Sequence, residues 1–147
     1  MSRRHVLSLT LRPEQNERVR RLARRWGRTP TETGARLMEE ALRTVEFAGI
    51  EFRSTPDGAR VAHLRGDRLP VFWVARLARR FKGDVTKTAA HFGIPPAAVR
   101  AALHYTEAFA EEIDAENNDH DSVDLDELRR QLPDLDVLEV ARGKSRR

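Results

Sequence analysis

The chain has 147 residues and no cysteine, with 39% hydrophobic, 34% charged and 6% aromatic residues and a formal net charge of +4. That length fits one or two small domains and not a large enzyme, and the missing thiols exclude a disulfide-stapled module, a thiol nucleophile and a cysteine-ligated zinc site. No apolar run approaches the roughly 18 to 20 residues of a membrane span, and Met1-Ser2-Arg3-Arg4-His5 leads into alternating sequence in place of an apolar signal core, so a cytoplasmic protein is expected.

The charge is segregated along the chain. Residues 1–44 carry 11 Arg against 5 acidic residues and residues 45–83 carry 8 basic against 4 acidic, whereas 84–116 reverse to 2 against 6 and 117–141 to 2 against 8, before 4 basic residues in 142–147. A basic front and an acidic back address different partners. Of the 27 basic residues 24 are Arg, a bias that a GC-rich genome also produces.

Residues 5–12 alternate, with Leu7, Leu9 and Leu11 on one face and Ser8 and Thr10 on the other, as in a half-buried strand. Pro13 ends it and suits the first position of a helix running to Trp26, with Val19, Leu22, Ala23 and Trp26 at helical spacing among Arg18, Arg20, Arg21, Arg24 and Arg25. Gly27 stops that helix. Thr29-Pro30-Thr31-Glu32 then reads as a capping box opening a second helix, whose apolar stripe is Leu37, Met38, Ala41, Leu42 and Val45. A lone strand leaves its N–H and C=O groups unpaired on both edges. No second strand precedes residue 50, so the expected partner is the same strand of a second chain, giving an obligatory dimer through a two-stranded antiparallel ribbon.

Leu7-Ser8-Leu9-Thr10-Leu11, Pro13, Trp26-Gly27 and Thr29-Pro30-Thr31-Glu32 together resemble a ribbon-helix-helix repressor over about residues 4–45. The resemblance implies that outward ribbon residues read bases in the major groove while the start of the second helix holds a phosphate. The implied DNA-binding residues are Arg3, Arg4, Val6, Ser8, Thr10, Arg12, Thr29, Thr31, Glu32 and Arg36. Val6 stands where the family usually has Lys or Arg, which leaves the short Ser8 and Thr10 as readers and modest base discrimination.

Ile50–Arg53 and Arg60–Leu64 flank Thr55-Pro56-Asp57-Gly58, a type I turn pattern, and predict a small hairpin. A helix is expected over 71–81, broken by Lys82-Gly83, followed by helices over 84–92 and 96–116 joined by Gly93-Ile94-Pro95-Pro96. Ala89, Gly93 and Val99 have helix-turn-helix spacing. The would-be recognition helix offers one long donor, Arg100, and continues into Glu107, Glu111, Glu112, Asp114 and Glu116, which favours a protein partner over DNA. Gly66-Asp67-Arg68-Leu69-Pro70-Val71 and Val99-Arg100-Ala101-Ala102-Leu103-His104-Tyr105 resemble a small winged-helix-like domain of antitoxins from bacterial type II toxin–antitoxin systems. That resemblance implies a toxin partner, usually a PIN-like ribonuclease, although Phe72-Trp73 departs from the aromatic-then-acidic pair usual there.

Residues 117–122 read as a polar linker. Beyond it, Leu125, Leu128 and Leu132 form one stripe, Pro133 follows, and Leu135 and Leu138 recur among acids, a pattern suited to folding on a partner. The expected toxin-binding residues are Trp73, Leu125, Leu128, Leu132, Leu135 and Leu138. A solubilising tail, or one docked on the basic half of the same chain, is the plainer alternative.

The five histidines, His5, His63, His91, His104 and His120, lack metal-ligand spacing, and no phosphate loop or glycine fingerprint occurs. Neither enzyme activity nor a cofactor or metal is expected. The sequence therefore reads as a mainly α protein in three parts. Residues 1–45 form a ribbon-helix-helix dimerisation and DNA-binding unit, 46–116 a hairpin plus three-helix, helix-turn-helix-like unit, and 117–147 an acidic tail. The expected function is an antitoxin that binds operator DNA as a homodimer and neutralises a PIN-like ribonuclease toxin. The alternatives are a stand-alone regulator without a toxin and an adaptor whose front serves only association.

Overall fold

The computed structural model describes residues 4–121. Six helices and one hairpin follow in the order α1 (Pro13–Trp26), α2 (Pro30–Glu46), β1 (Ile50–Ser54), β2 (Arg60–Leu64), α3 (Val71–Arg80), α4 (Val85–Phe92), α5 (Pro96–Ala108) and α6 (Ala110–Asp121). The two strands pair antiparallel, with Ile50 opposite Leu64 and Ser54 opposite Arg60. The 55–58 turn closes through the Gly58 N–H donating to the Thr55 carbonyl at 2.9 Å.

The helix ends follow local chemistry. At the start of α1 the Arg12 N–H donates to Gln15 Oε1 at 3.0 Å, and at its end Gly27 takes the left-handed conformation at φ 61°, which a residue without Cβ adopts at no steric cost. Thr29 and Glu32 form a reciprocal box at the start of α2: the Glu32 N–H donates to Thr29 Oγ1 at 3.2 Å and the Thr29 N–H to Glu32 Oε2 at 3.0 Å. Gly93, at φ 65°, turns α4 into α5, with Ala89 and Val99 buried at the contact, as the helix-turn-helix spacing requires.

The core lies in the second unit. Ile50, Ala62 and Leu64 of the hairpin meet Val71, Val74 and Ala75 of α3, Val99, Ala102 and Tyr105 of α5 and Ile113 of α6. Each large apolar side chain taken out of water there contributes about 1.5 to 3 kcal/mol. The first unit contrasts with this, since its buried residues are Ala23, Thr33, Glu40 and Arg43.

Three elements differ from the sequence reading. Residues 4–12 form no strand: a strand exists only through hydrogen bonds to a neighbouring strand, and among the described residues of one chain no strand pairs with this segment. The helix expected over 96–116 bends at Phe109 (φ −128°, ψ 42°) into α5 and α6. Helical hydrogen bonds continue across the bend, from the Phe109 N–H to Tyr105 and from the Ile113 N–H to Phe109. The Phe109 ring packs against Phe47 and Tyr105, and the redirected α6 lies along α3. Finally, α6 runs through 117–121, so the linker expected there is helical, and Asn117 is buried. No helix among the described residues is long and apolar enough to cross a membrane.

Candidate nucleic-acid interface

The amino-terminal segment carries its side chains outward. Arg4, Val6, Ser8, Thr10 and Arg12 are exposed, but so are Leu7 and Leu9 at 73% and 63%, so the two faces of the alternating pattern are not yet distinguished in one chain. Arg3 lies outside the described residues. All the exposed large hydrophobic residues among those described belong to this unit: Val6, Leu7, Leu9 and Leu11, and then Met38, Leu42 and Val45 on one side of α2. Between α1 and α2 runs an open groove of about 600 Å³ floored by Leu11, Val19, Leu22 and Leu37 and rimmed by Arg18, Arg21 and Arg25. Arg24 reaches Glu17 at 3.7 Å, whereas Arg18, Arg20, Arg21 and Arg25 have no ion-pair partner among the described residues.

At the start of α2, Thr29 and Glu32 of the expected phosphate-holding residues are engaged with each other. Glu32 uses its own N–H on Thr29, and its carboxylate already sits over the positive end of the helix. The Thr29 backbone N–H and then its hydroxyl hold that carboxyl below its ordinary pKa. An incoming phosphate would meet this negative charge, which leaves the Thr31 N–H alone of the expected donors.

Arg36, also expected at DNA, makes contacts within the chain. Its Nε donates to Glu40 Oε1 at 3.0 Å, its Nη2 approaches the Arg60 carbonyl, and its guanidinium lies 5.6 Å from the centre of the Phe52 ring. It therefore leans on the hairpin, with its side chain 24% exposed. Glu40 also accepts from Arg60 at 2.9 and 2.7 Å, so one nearly buried carboxylate holds two guanidiniums. Burial pushes the Glu40 carboxyl up, but the hydrogen bonds and charges of Arg60 and Arg36 outweigh it and leave the pKa lowered.

One turn further, Arg43 repeats the pattern against the helices. It donates to Glu39 at 2.6 Å, to the Tyr105 hydroxyl at 2.6 Å and to Glu112 at 2.9 Å, and its guanidinium stacks 3.7 Å from the centre of the Phe109 ring. Burial disfavours its charge, yet Glu112, Glu39 and Tyr105 together hold it more firmly protonated than a free arginine. Burial likewise pushes the Tyr105 hydroxyl up to about 12, with Arg43 opposing. Glu116, one turn beyond Glu112, has a buried Oε2 without a hydrogen bond; burial, and then the Glu112 charge, push its pKa to about 7. These contacts make a polar seam that fastens α2 to the hairpin and to α5 and α6. The sequence reading assigned Arg36 to DNA and gave Glu40, Arg43 and Arg60 no role. Their one signal was spacing: Thr33, Arg36, Glu40 and Arg43 share a side of α2 distinct from Met38, Leu42 and Val45.

On the second unit Trp73 is half-buried, not a free anchor. It stacks on Phe72, meets the His120 ring edge-on at 4.6 Å, and has the Arg76 guanidinium 5.7 Å from its centre. The outer side of α5 presents Ala97, Arg100 and His104, with Phe47 and Ala48 at the edge of a shallow hollow of about 400 Å³. Glu107 and Glu111 are exposed further along, and Asp114 accepts from Arg79 at 2.6 Å. Leu125, Leu128, Leu132, Leu135 and Leu138 lie outside the described residues. Among the described residues no three His, Asp or Glu side chains gather as a metal site.

Comparison of the chain with protein-family models, with curated proteins and with solved structures gave no match in any of the three.

Proposed function

We propose that this chain is a DNA-binding antitoxin: a homodimer, joined through residues 5–12 as a two-stranded ribbon, that binds operator DNA with its basic front and engages a basic protein toxin, a PIN-like ribonuclease by the resemblance, with its acidic back. The carrying observation is the confinement of every exposed large hydrophobic among the described residues to positions 6–45. Large apolar side chains left in water beside a segment with unpaired backbone groups call for a second surface of matching character. A second copy supplies both the missing strand and the missing leucines. The unpaired arginines of α1 then flank the ribbon, whose Ser8 and Thr10 side chains turn outward once Leu7, Leu9 and Leu11 turn in.

On this reading phosphate contact falls to Arg4, Arg12 and the α1 arginines, a choice supported by the engagement of Arg36 with Glu40 and of Glu32 with Thr29. Titration of duplex DNA with the full chain tests this. Affinity should fall steeply between about 50 and 200 mM salt, as counterion release requires. Thr10→Ala should reduce preference for a selected site over random sequence, and Arg36→Ala should leave the salt slope unchanged because that guanidinium is spent on Glu40. Affinity indifferent to salt contradicts the DNA reading. Co-purification of the chain with the product of an adjoining reading frame, and rescue of growth by co-expression, test the toxin reading.

A further inference from the structure

We propose that Glu116 is a proton-operated latch for the end of α6: with its carboxyl protonated the turn after it stays docked on the molecule, and once that proton leaves to solvent the turn undocks. The seam has no place for another negative charge. Arg36, Arg43 and Arg60 there already face Glu39, Glu40 and Glu112, three guanidiniums against three carboxylates. Glu116 brings a fourth, one turn beyond Glu112 and so on the same side of α6. Its Oε2 is buried and has no hydrogen-bond partner among the described residues. A carboxylic acid fits such a position, whereas a carboxylate loses its hydration there and stands beside a second one.

The groups that face Glu116 come from every element around it. Its own helix brings Glu112 and Asp119, which oppose ionisation, and α2 brings Arg36 and Arg43, which favour it. From α5 comes the Tyr105 hydroxyl, which accepts from Arg43 and feels the Glu116 charge. On α3, Arg79 is held by Asp114, and Arg76 stands over the Trp73 ring. Burial and then Glu112 prevail, and the Glu116 carboxyl is pushed up to about 7. The turn that follows is poised to respond. Asn117 is 7% exposed, and neither Nδ2 nor Oδ1 of its amide has a hydrogen-bond partner, so docking leaves unpaired two atoms that water would satisfy on release. Against this work the ring contacts of His120, 4.6 Å from Trp73 and 5.8 Å from Phe72. Ionising Glu116 penalises the docked turn and not the released one, so release is favoured as pH rises through 7. The acidic sequence beyond residue 121 starts from this turn, and the latch decides whether it starts from a fixed or a free point. The inference depends on neither the DNA nor the toxin reading.

Carbon-13 Cα chemical shifts of the full chain, followed from about pH 5.5 to 8.5, read the helix residue by residue across the expected transition. The expected result is loss of helical shifts from Asn117 to His120 as pH rises, with a midpoint near 7 shared by the Glu116 side-chain carboxyl, while α4 and the hairpin stay unchanged. Glu116→Gln, which cannot ionise, should keep the turn helical throughout. An imidazole is the other side chain able to change charge in this range. His120→Phe therefore serves as the second arm: it keeps a ring against Trp73 but cannot titrate, and the transition should persist in it. A turn that stays helical at every pH in the unaltered chain overturns the proposal. So does a transition that survives Glu116→Gln or disappears in His120→Phe.

Discussion

Glu40 holds two guanidiniums with one carboxylate, and both arginines come from elements that the chain must bring together, α2 and β2. Removing it leaves partly buried positive charges without a counter-charge, the costly way to break such a pair. Glu40→Ala is expected to destabilise the fold by about 2 to 3 kcal/mol, discounted from a fully buried pair because both arginines keep some exposure; urea denaturation at pH 7.5 measures it. Glu116 works in the opposite sense. Its folded pKa of about 7 stands above the ordinary 4.5, so its contribution is complete below pH 4.5 and is lost as pH rises through 7. Glu112 and Asp119 oppose its ionisation, while Arg36 and Arg43 favour it. Glu116→Gln should therefore flatten the loss of stability between pH 5 and 8, as read from denaturation midpoints, and equal pH dependence in the two proteins would remove Glu116 from that role. Glu40, with its lowered pKa, stabilises above its ordinary value and gives that up only in acid, as pH falls through the folded value.

Among the elements, α2 is the one on which the two units meet. One side carries Met38, Leu42 and Val45 to solvent, while the other carries Arg36, Glu40 and Arg43 into the polar seam. The apolar side was legible in the sequence because leucine spacing has a single physical cause. The polar side was not, because Arg and Glu at helical spacing suit solvent as well as a buried ion pair, and their partners Arg60, Tyr105 and Glu112 are far away in sequence. Likewise α1, α2, the hairpin and the α4–α5 turn were legible from proline, capping residues and glycine. The bend at Phe109 was not: no proline or glycine marks it, and what fixes it is the tertiary contact of the ring with Phe47, Tyr105 and Arg43. Gly93→Ala isolates one local signal. A Cβ there meets nothing within 4 Å, so the substitution should cost only the left-handed backbone, about 1 kcal/mol, measurable as a small shift of the urea midpoint.

For the whole molecule, a core confined to the hairpin and helices α3 to α6 leaves the first unit resting on the second through the seam and, in the proposed dimer, on another chain across the leucines. The charge division follows the same plan, with Arg18, Arg20, Arg21 and Arg25 of α1 free of ion pairs among the described residues and acids concentrated on α6. Sedimentation velocity over a micromolar concentration series, comparing the full chain with Leu9→Glu, tests the central claim most directly. The account predicts a species of twice the chain mass for the unaltered protein and a monomer that retains the α3–α6 core for Leu9→Glu. Stably folded monomers of the unaltered chain throughout that range would contradict it.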